Sequence, residues 1–468
     1  MLFRGDLVHC PSLGELEIVH DHLLVIDDKG YVSHVVPSGS KVALQIIENA
    51  SDPPIVIPRG SFLLPTFCDL HLHAPQFLYQ GTGLHLPLMQ WLDEYAFKAE
   101  ESLDGDPDLA MRVYTRLAAR LIENGTGAVL LFGTIKEETN LILAEVMQTA
   151  GIRAFVGKLS MDVSSRSSYV EESADAALSS ARSFTEKCLE LVNRLPEHDR
   201  LIAPVLTPRF VPTCTDALLK GLGDLSESRG LRIQSHMAEA LEQVQLVKSD
   251  RGIDDIEVFS RSNLLTPRTV QAHCTFLDPP SLARVAECGT AVAHCPQSNA
   301  YFSAEPFPLR EALHLGVKVG LGSDIAGGYS IDIMDCMRRA VAVSRMREGA
   351  RVMGHTTMKL NDGSGELANL SVDWKETLYL ATSGGAIALG LPSGSNTFTV
   401  GAPFDAQCIH LFEKDTGTGI GPLDFFHEHA EPLDEVELTN DMIEKWWCIG
   451  DVRNRGKTWV QGRRVAMR

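Results

Sequence analysis

The sequence predicts an α/β fold, a (β/α)8 TIM-type barrel accompanied by a small β-sandwich domain formed from both chain termini. Three observations lead there. Eight short apolar runs are spaced along the middle of the chain, at residues 62–70, 127–132, 152–159, 201–206, 231–235, 269–272, 291–293 and 317–322. Continuous apolar runs of this length mark parallel strands covered on both faces. Most intervals between them carry helical periodicity, as in LAMRVYTRLAARLI (109–122) and LEQVQLV (241–247). Strand and helix therefore alternate in the order a barrel requires. The third observation is that the two ends of the chain share a different, strand-rich texture.

Near the N-terminus, GELEIV (14–19) and HLLVI (22–26) are followed by DDKG (27–30) and YVSHVV (31–36). Asp and Gly between β-rich segments signal a hairpin. The C-terminal stretches AQCIHL (406–411) and KTWVQGRRV (457–465) have the same character. The expected division is residues 1–60 and 396–468 for the small β-domain and 61–395 for the barrel. The polar, Gly-rich segment 351–371 reads either as a mobile loop near a pocket or as a surface connection.

Composition narrows the function classes. At 468 residues and 44% hydrophobic, the chain can bury a large core. Its formal charge is −19, from 42 Lys+Arg against 61 Asp+Glu. That balance argues against nucleic acid and anionic membranes as partners and favours a small neutral or cationic substrate. The ten cysteines show no CxxC pair, which is the usage of a reducing compartment. MLFRGD at the N-terminus has no basic region leading into a long apolar one, and no run approaches the ~18 apolar residues of a membrane span. The expectation is a soluble, cytoplasmic protein.

The chemistry begins at His71-Leu72-His73, which closes the first apolar run. In an extended segment alternate side chains share a face, so the two imidazoles project together. Neutral imidazole is a common ligand for zinc. The active site of such a barrel lies at the C-terminal ends of its strands, which says where partners should fall. His236 ends the fifth run, His273 the sixth, His294 follows the seventh and Asp324 follows the eighth. Singly, each has an ordinary reading: a strand-end His is commonly a hydrogen-bonded structural residue, and Asp324 could cap a turn. Together at the strand ends of one barrel, beside His71 and His73, the ordinary readings weaken jointly.

The segments HLHAPQF (71–77), TPRF (207–210), SHMAE (235–239), AHCTF (272–276), HCPQSN (294–299) and GSDIAGGYS (322–330) carry a resemblance to the amidohydrolase superfamily of metal-dependent barrels. Within it the chain is most similar to the guanine deaminases, over essentially its whole length. The His-x-His pair, the strand-five His and the final Asp are shared by many amidohydrolases. The HAPQ, TPRF and DIAGGYS segments are narrower.

The resemblance implies that His71, His73, His236 and Asp324 ligate a metal and leave a position for water, whose pKa falls from about 15.7 towards about 7. No Lys ends the fourth run, where bimetallic relatives carry a carbamylated one, so one zinc per subunit is expected. His273 is either a further ligand at the edge of that sphere or a hydrogen-bonding catalytic residue. Asp324 would take the proton of the attacking water. Glu239 would shuttle protons, although a solvated Glu opening the helix after 240 is its ordinary alternative. For the substrate, Arg209 would donate to the purine oxygen and Phe210 would cover the ring face. Gln76 would meet the guanine edge, and His236 and Glu239 would also touch substrate.

His294 is expected to be structural, and Trp91 to face the core. The implied activity is hydrolysis of guanine to xanthine and ammonia by a homodimer. The alternative is an amidohydrolase acting on another heterocycle, a triazine or an adenosine-type substrate. A non-catalytic scaffold would be expected to lack ligands or the acid, and this chain keeps them.

Overall fold

The computed structural model describes residues 1–355, 369–411, 424 and 437–465. Eight parallel strands form the barrel: β1 (Phe67–His73), β2 (Thr126–Phe132), β3 (Arg153–Ser160), β4 (Ile202–Pro208), β5 (Arg232–Met237), β6 (Thr269–His273), β7 (Ala291–His294) and β8 (Lys318–Leu321). They neighbour one another in chain order. Each is almost wholly buried because helices cover the outside and side chains fill the inside, which is why the sequence shows runs rather than alternation. The inner packing leaves no room for a side chain at Gly157 of β3. A Cβ there would come within 2.0 Å of Thr207 Oγ1 and 2.2 Å of Gln234 Nε2. Gln234 instead donates across the interior to the Leu131 carbonyl at 2.8 Å and to Thr207 Oγ1 at 3.0 Å.

Closure of the barrel sets up the site. The Asp324 N–H donates to the His71 carbonyl at 2.8 Å, and the His73 N–H donates to the Ile325 carbonyl at 2.9 Å. The chain leaving β8 is thereby stitched to β1 at the end where the histidines project.

Helices begin and end where their caps dictate. Pro107–Glu123 starts with Asp106 accepting from the Leu109 N–H and Pro107 in the first turn, and it buries Val113, Tyr114, Leu117 and Leu121. Glu137–Ala150 and Asp216–Arg229 stop at Gly151 and Gly230 in the left-handed region. Leu241–Arg251 follows β5, as the periodicity predicts.

A second sheet is built from both termini. Leu2–His9 pairs antiparallel with Glu17–Ile26, which pairs antiparallel with Val32–Pro37 around the expected turn. Ser61–Pro65 joins Leu2–His9 in parallel and Ala406–His410 antiparallel, and Arg455–Val460 with Arg463–Val465 extends the C-terminal edge. The run 62–70, expected as one strand, is two. The chain changes sheets at Thr66, whose N–H donates to the Asp405 carbonyl at 3.1 Å, while the Phe67 N–H donates to Gly125 at 2.9 Å. Both halves are fully buried, so apolarity carries no trace of the switch. Strand Leu2–His9 and helix Lys41–Glu48 were not anticipated, and the two expected strands at 14–19 and 22–26 are one, Glu17–Ile26.

Sheet and barrel are locked by a nearly buried ion pair. Arg153, opening β3, reaches Asp405 at 3.0 Å and Gln461 Oε1 at 3.0 Å. All ten cysteines are free thiols. Among the described residues no helix is long and apolar enough to cross a membrane. Of the segment 351–371, residues 356–368 lie outside the described residues.

Candidate active site

Strand periodicity brings the histidines together. The ligand nitrogens of His71, His73 and His236 all lie within 4.8 Å of one another, and a second group sharing His71 comprises His71, His273, Cys295 and Asp324. His73 Nε2 is 3.0 Å from His236 Nε2, and Asp324 Oδ1 is 3.1 Å from His71 Nε2 and 3.6 Å from His73 Nε2. His273 Nε2 stands 3.6 Å from Glu239 Oε1 and 3.8 Å from Asp324 Oδ2. Such an approach is possible only over Gly322. A Cβ at that position would meet the His71 Cβ at 2.8 Å and Cys295 Sγ at 2.9 Å.

The outer nitrogens fix which lone pairs face inward. His236 Nδ1 donates to the Arg209 carbonyl at 2.6 Å, and His273 Nδ1 donates to Asn299 Oδ1 at 2.9 Å. Each therefore turns an unprotonated Nε2 to the centre, the usual arrangement behind metal-binding histidines. His273 Nε2 is buried and has no hydrogen-bond partner among the described residues, and His71 Nε2 faces the Asp324 carboxylate at 3.1 Å. Buried polar atoms without partners are costly. A nitrogen-rich donor set with one carboxylate and an unpartnered inward nitrogen fits a zinc-type ion.

Burial favours neutral histidines and a protonated Glu239, the forms such a site needs of them. The pKa values of His71, His73 and His236 fall well below that of free imidazole, chiefly through desolvation and then through neighbouring His or Arg groups. The carboxyls of Asp324 and Glu239 are pushed up by burial, and Glu239 further by the Asp324 charge beside it. Ala238, His273 and Asp324 adopt φ of 48°, 69° and 51°. Left-handed backbone at non-glycine residues is strain that clusters where side chains must be aimed.

Beside this centre lies a small, nearly filled pocket with about 20 Å³ of free volume, lined by His73, His236, Glu239 and Asp324 together with Gln76, Arg209 and Phe210. Leu88, Trp91, Leu92 and Phe302 supply apolar wall. Arg209 is buried, with its guanidinium 4.8 Å from the Phe97 ring centroid. Its Nη1 donates to Glu100 Oε2 at 2.6 Å, and Gln76 Nε2 donates to Glu100 Oε1 at 3.0 Å.

Sequence reasoning missed Glu100, Cys295 and Asn299. Glu100 does have a signal, an acid between Phe97 and Leu103 on the buried stripe of Phe97–Gly105. Trp91, expected to face the core, is buried with Nε1 donating to the Thr82 carbonyl at 3.0 Å, yet it also lines the pocket beside Phe302.

His294, expected to be structural, lies outside the pocket and packs against Phe307 with ring centroids 5.2 Å apart. Burial pushes its pKa down to about 3. A base with a depressed folded pKa stabilises the folded chain above its unfolded value of about 6.5 and loses that stabilisation as pH falls towards about 3. Between about pH 7.5 and about pH 5 the loss approaches 2 kcal/mol, at about 1.4 kcal/mol per unit below 6.5. The penalty of His294→Asn relative to the parent is therefore expected to shrink by about 2 kcal/mol over that interval. Urea unfolding at both pH values measures it, and a constant penalty would show that His294 is not held neutral.

With this geometry in place, comparison with known proteins gives the class. The pattern of the amidohydrolase family matches residues 62–465, and the chain belongs to that family. The guanine deaminase of Mus musculus is 35% identical over 469 residues, 99% of this chain and 96% of the relative. That of Dictyostelium discoideum is 33% identical, covering 99% and 98%. Among solved structures, the guanine deaminase from C. acetobutylicum with bound guanine in the active site superposes with a TM-score of 0.83 at 27% identity, covering 99% of each chain. Within the amidohydrolases, this chain groups with the guanine deaminases.

Proposed function

We propose that the chain hydrolyses guanine to xanthine and ammonia, with one zinc ion held by His71, His73, His236 and Asp324. The observation that carries this reading is the pocket itself. One wall is the metal-type donor set with Glu239, and another is the Arg209–Gln76 polar edge with Phe210. His273, with its Nε2 turned inward, stands between Glu239 and Asp324 and serves as a fifth ligand or as a hydrogen-bond partner of the attacking water. When bound, the metal supplies a water made nucleophilic near neutral pH.

The protein residues do the rest. Arg209 and Gln76 orient the oxo edge of the purine, and Phe210 covers its face, so that C2 is turned towards His71, His73 and His236. Asp324 accepts a proton from the water. Glu239, kept protonated by burial, donates to the ring nitrogen next to C2. It then takes the C2 hydroxyl proton as the adduct collapses and passes it to the departing amine, and the proton held by Asp324 reloads Glu239. The apolar wall of Leu88, Trp91, Leu92 and Phe302 keeps bulk water from the reacting centre. This reading includes a homodimer, a cytoplasmic location and a role in purine catabolism.

Ammonia release from guanine, measured beside adenine, cytosine and a triazine, tests the substrate. Guanine is expected to react alone. Turnover of a different heterocycle with guanine inert would keep the amidohydrolase chemistry and overturn the substrate roles of Arg209, Phe210 and Gln76.

A further inference from the structure

Glu100 has no exposed surface and does not line the pocket, yet it holds two residues that do. Its Oε2 accepts a hydrogen bond from Arg209 Nη1 at 2.6 Å and its Oε1 accepts one from Gln76 Nε2 at 3.0 Å. On the other side of the Gln76 amide, Oε1 accepts from the Ala326 N–H at 3.3 Å. The consequences are stereochemical. With its oxygen turned to a backbone N–H, Gln76 has a second Nε2–H to offer. With Nη1 committed to Glu100, Arg209 keeps Nη2, which is buried and has no partner among the described residues. Arg carries no acceptor at all. The carboxylate thus turns N–H groups of both Arg209 and Gln76 towards the pocket.

We infer that Glu100 is a positioning residue that sets specificity. By fixing Arg209 and Gln76 as paired donors, it selects a purine presenting two acceptors on one edge, the 6-oxo group and N7. It rejects a 6-amino purine, whose N–H groups would face donors. This inference rests on the guanine reading of the site. A buried site built to hydrogen-bond one edge discriminates strongly, because the wrong edge leaves its groups unpaired. Glu100→Gln keeps the size of the side chain but replaces one acceptor by an N–H that must face Arg209 or Gln76. Relief comes by rotating the Gln76 amide, which brings an acceptor into the pocket.

The test compares guanine with 2,6-diaminopurine, which keeps the C2 amine but carries N–H groups at position 6. KM and kcat are measured for guanine, and 2,6-diaminopurine is titrated as a competitive inhibitor of that reaction. In E100Q the guanine KM is expected to rise about tenfold or more with kcat within about threefold, while the inhibitor Ki stays level or falls. E100D keeps both acceptors and should recover most of the guanine preference. Should E100Q not fold, Glu100→Ala, which removes both acceptors, carries the same information through a rise in guanine KM at constant Ki.

Equal shifts in KM and Ki, a fall in kcat at constant KM, or no change would each overturn the role of Glu100. A parent enzyme inert towards guanine but active on another heterocycle would instead overturn the reading of the site on which the inference rests.

Discussion

Glu239→Gln is expected to lower kcat for guanine by about a thousandfold, within the 10²–10⁴ that a positioned proton donor contributes. KM should stay within a few-fold, metal content should be unchanged and the melting temperature should be no lower. The argument starts from placement. Glu239 lies two residues beyond β5, buried, with its carboxyl 3.6 Å from His273 Nε2. Its backbone is pinned from behind. Gln243 Oε1 accepts from the Glu239 N–H at 3.1 Å, and Asp255 Oδ2 accepts from the Ala238 N–H at 2.8 Å and from Gln243 Nε2 at 3.0 Å.

A carboxyl so enclosed, beside Asp324, is held in its protonated form well above the usual range. Gln matches it in shape and can still hydrogen-bond, but it cannot give up a proton to a ring nitrogen. Gln replaces a neutral buried carboxyl by a neutral amide of the same shape, which is why the fold should not suffer. Retention of activity within about tenfold would leave Glu239 as no more than the residue preceding the helix Leu241–Arg251, and the proton relay would need another carrier.

The histidines were legible because a strand converts sequence spacing directly into geometry. His71 and His73 are two apart on β1, so they share a face, and the barrel rule places His236, His273 and Asp324 at the same end. Glu100 was not legible in that way. It meets Arg209 across 109 residues of sequence and lies on a helix whose register only tertiary packing fixes. Cys295 and Asn299 follow β7 in the HCPQSN segment, but their nearness to His71 and His273 comes from how the strands stagger, which the sequence does not encode locally. The split of the first apolar run is hidden for a different reason. Ser61–Pro65 and β1 are equally buried, one in each sheet, so the same hydrophobic signal serves two partners. The hairpin around residues 27–30, by contrast, is a local turn flanked by local strands, and Val32–Pro37 pairs with Glu17–Ile26 around it.

Removing the metal should have the largest effect of all. After chelation, guanine turnover is expected to fall by about 10⁴ or more, because water without a Lewis acid keeps a pKa near 15.7 rather than about 7. Zinc added back should restore it, to one ion per chain. His73→Ala should show the same loss without rescue. The donor set explains the asymmetry. His71, His73 and His236 are already neutral through burial, so their nitrogens need shed no proton to bind a cation. Asp324 is the one carboxylate among the four proposed ligands, and its Oδ1 lies within 3.6 Å of both His71 Nε2 and His73 Nε2. Deleting His73 removes the nitrogen that faces His236 at 3.0 Å and opens one side of the site.

Binding to the folded chain alone also stabilises it, by about 4 kcal/mol when free zinc exceeds its Kd a thousandfold. Melting curves should therefore separate loaded from chelated parent enzyme, and should separate them far less in the His73 variant. If chelation leaves turnover intact, or if His73→Ala binds zinc as the parent does, the four residues are not the metal ligands, and the proton chemistry assigned to Asp324 and Glu239 loses its nucleophile.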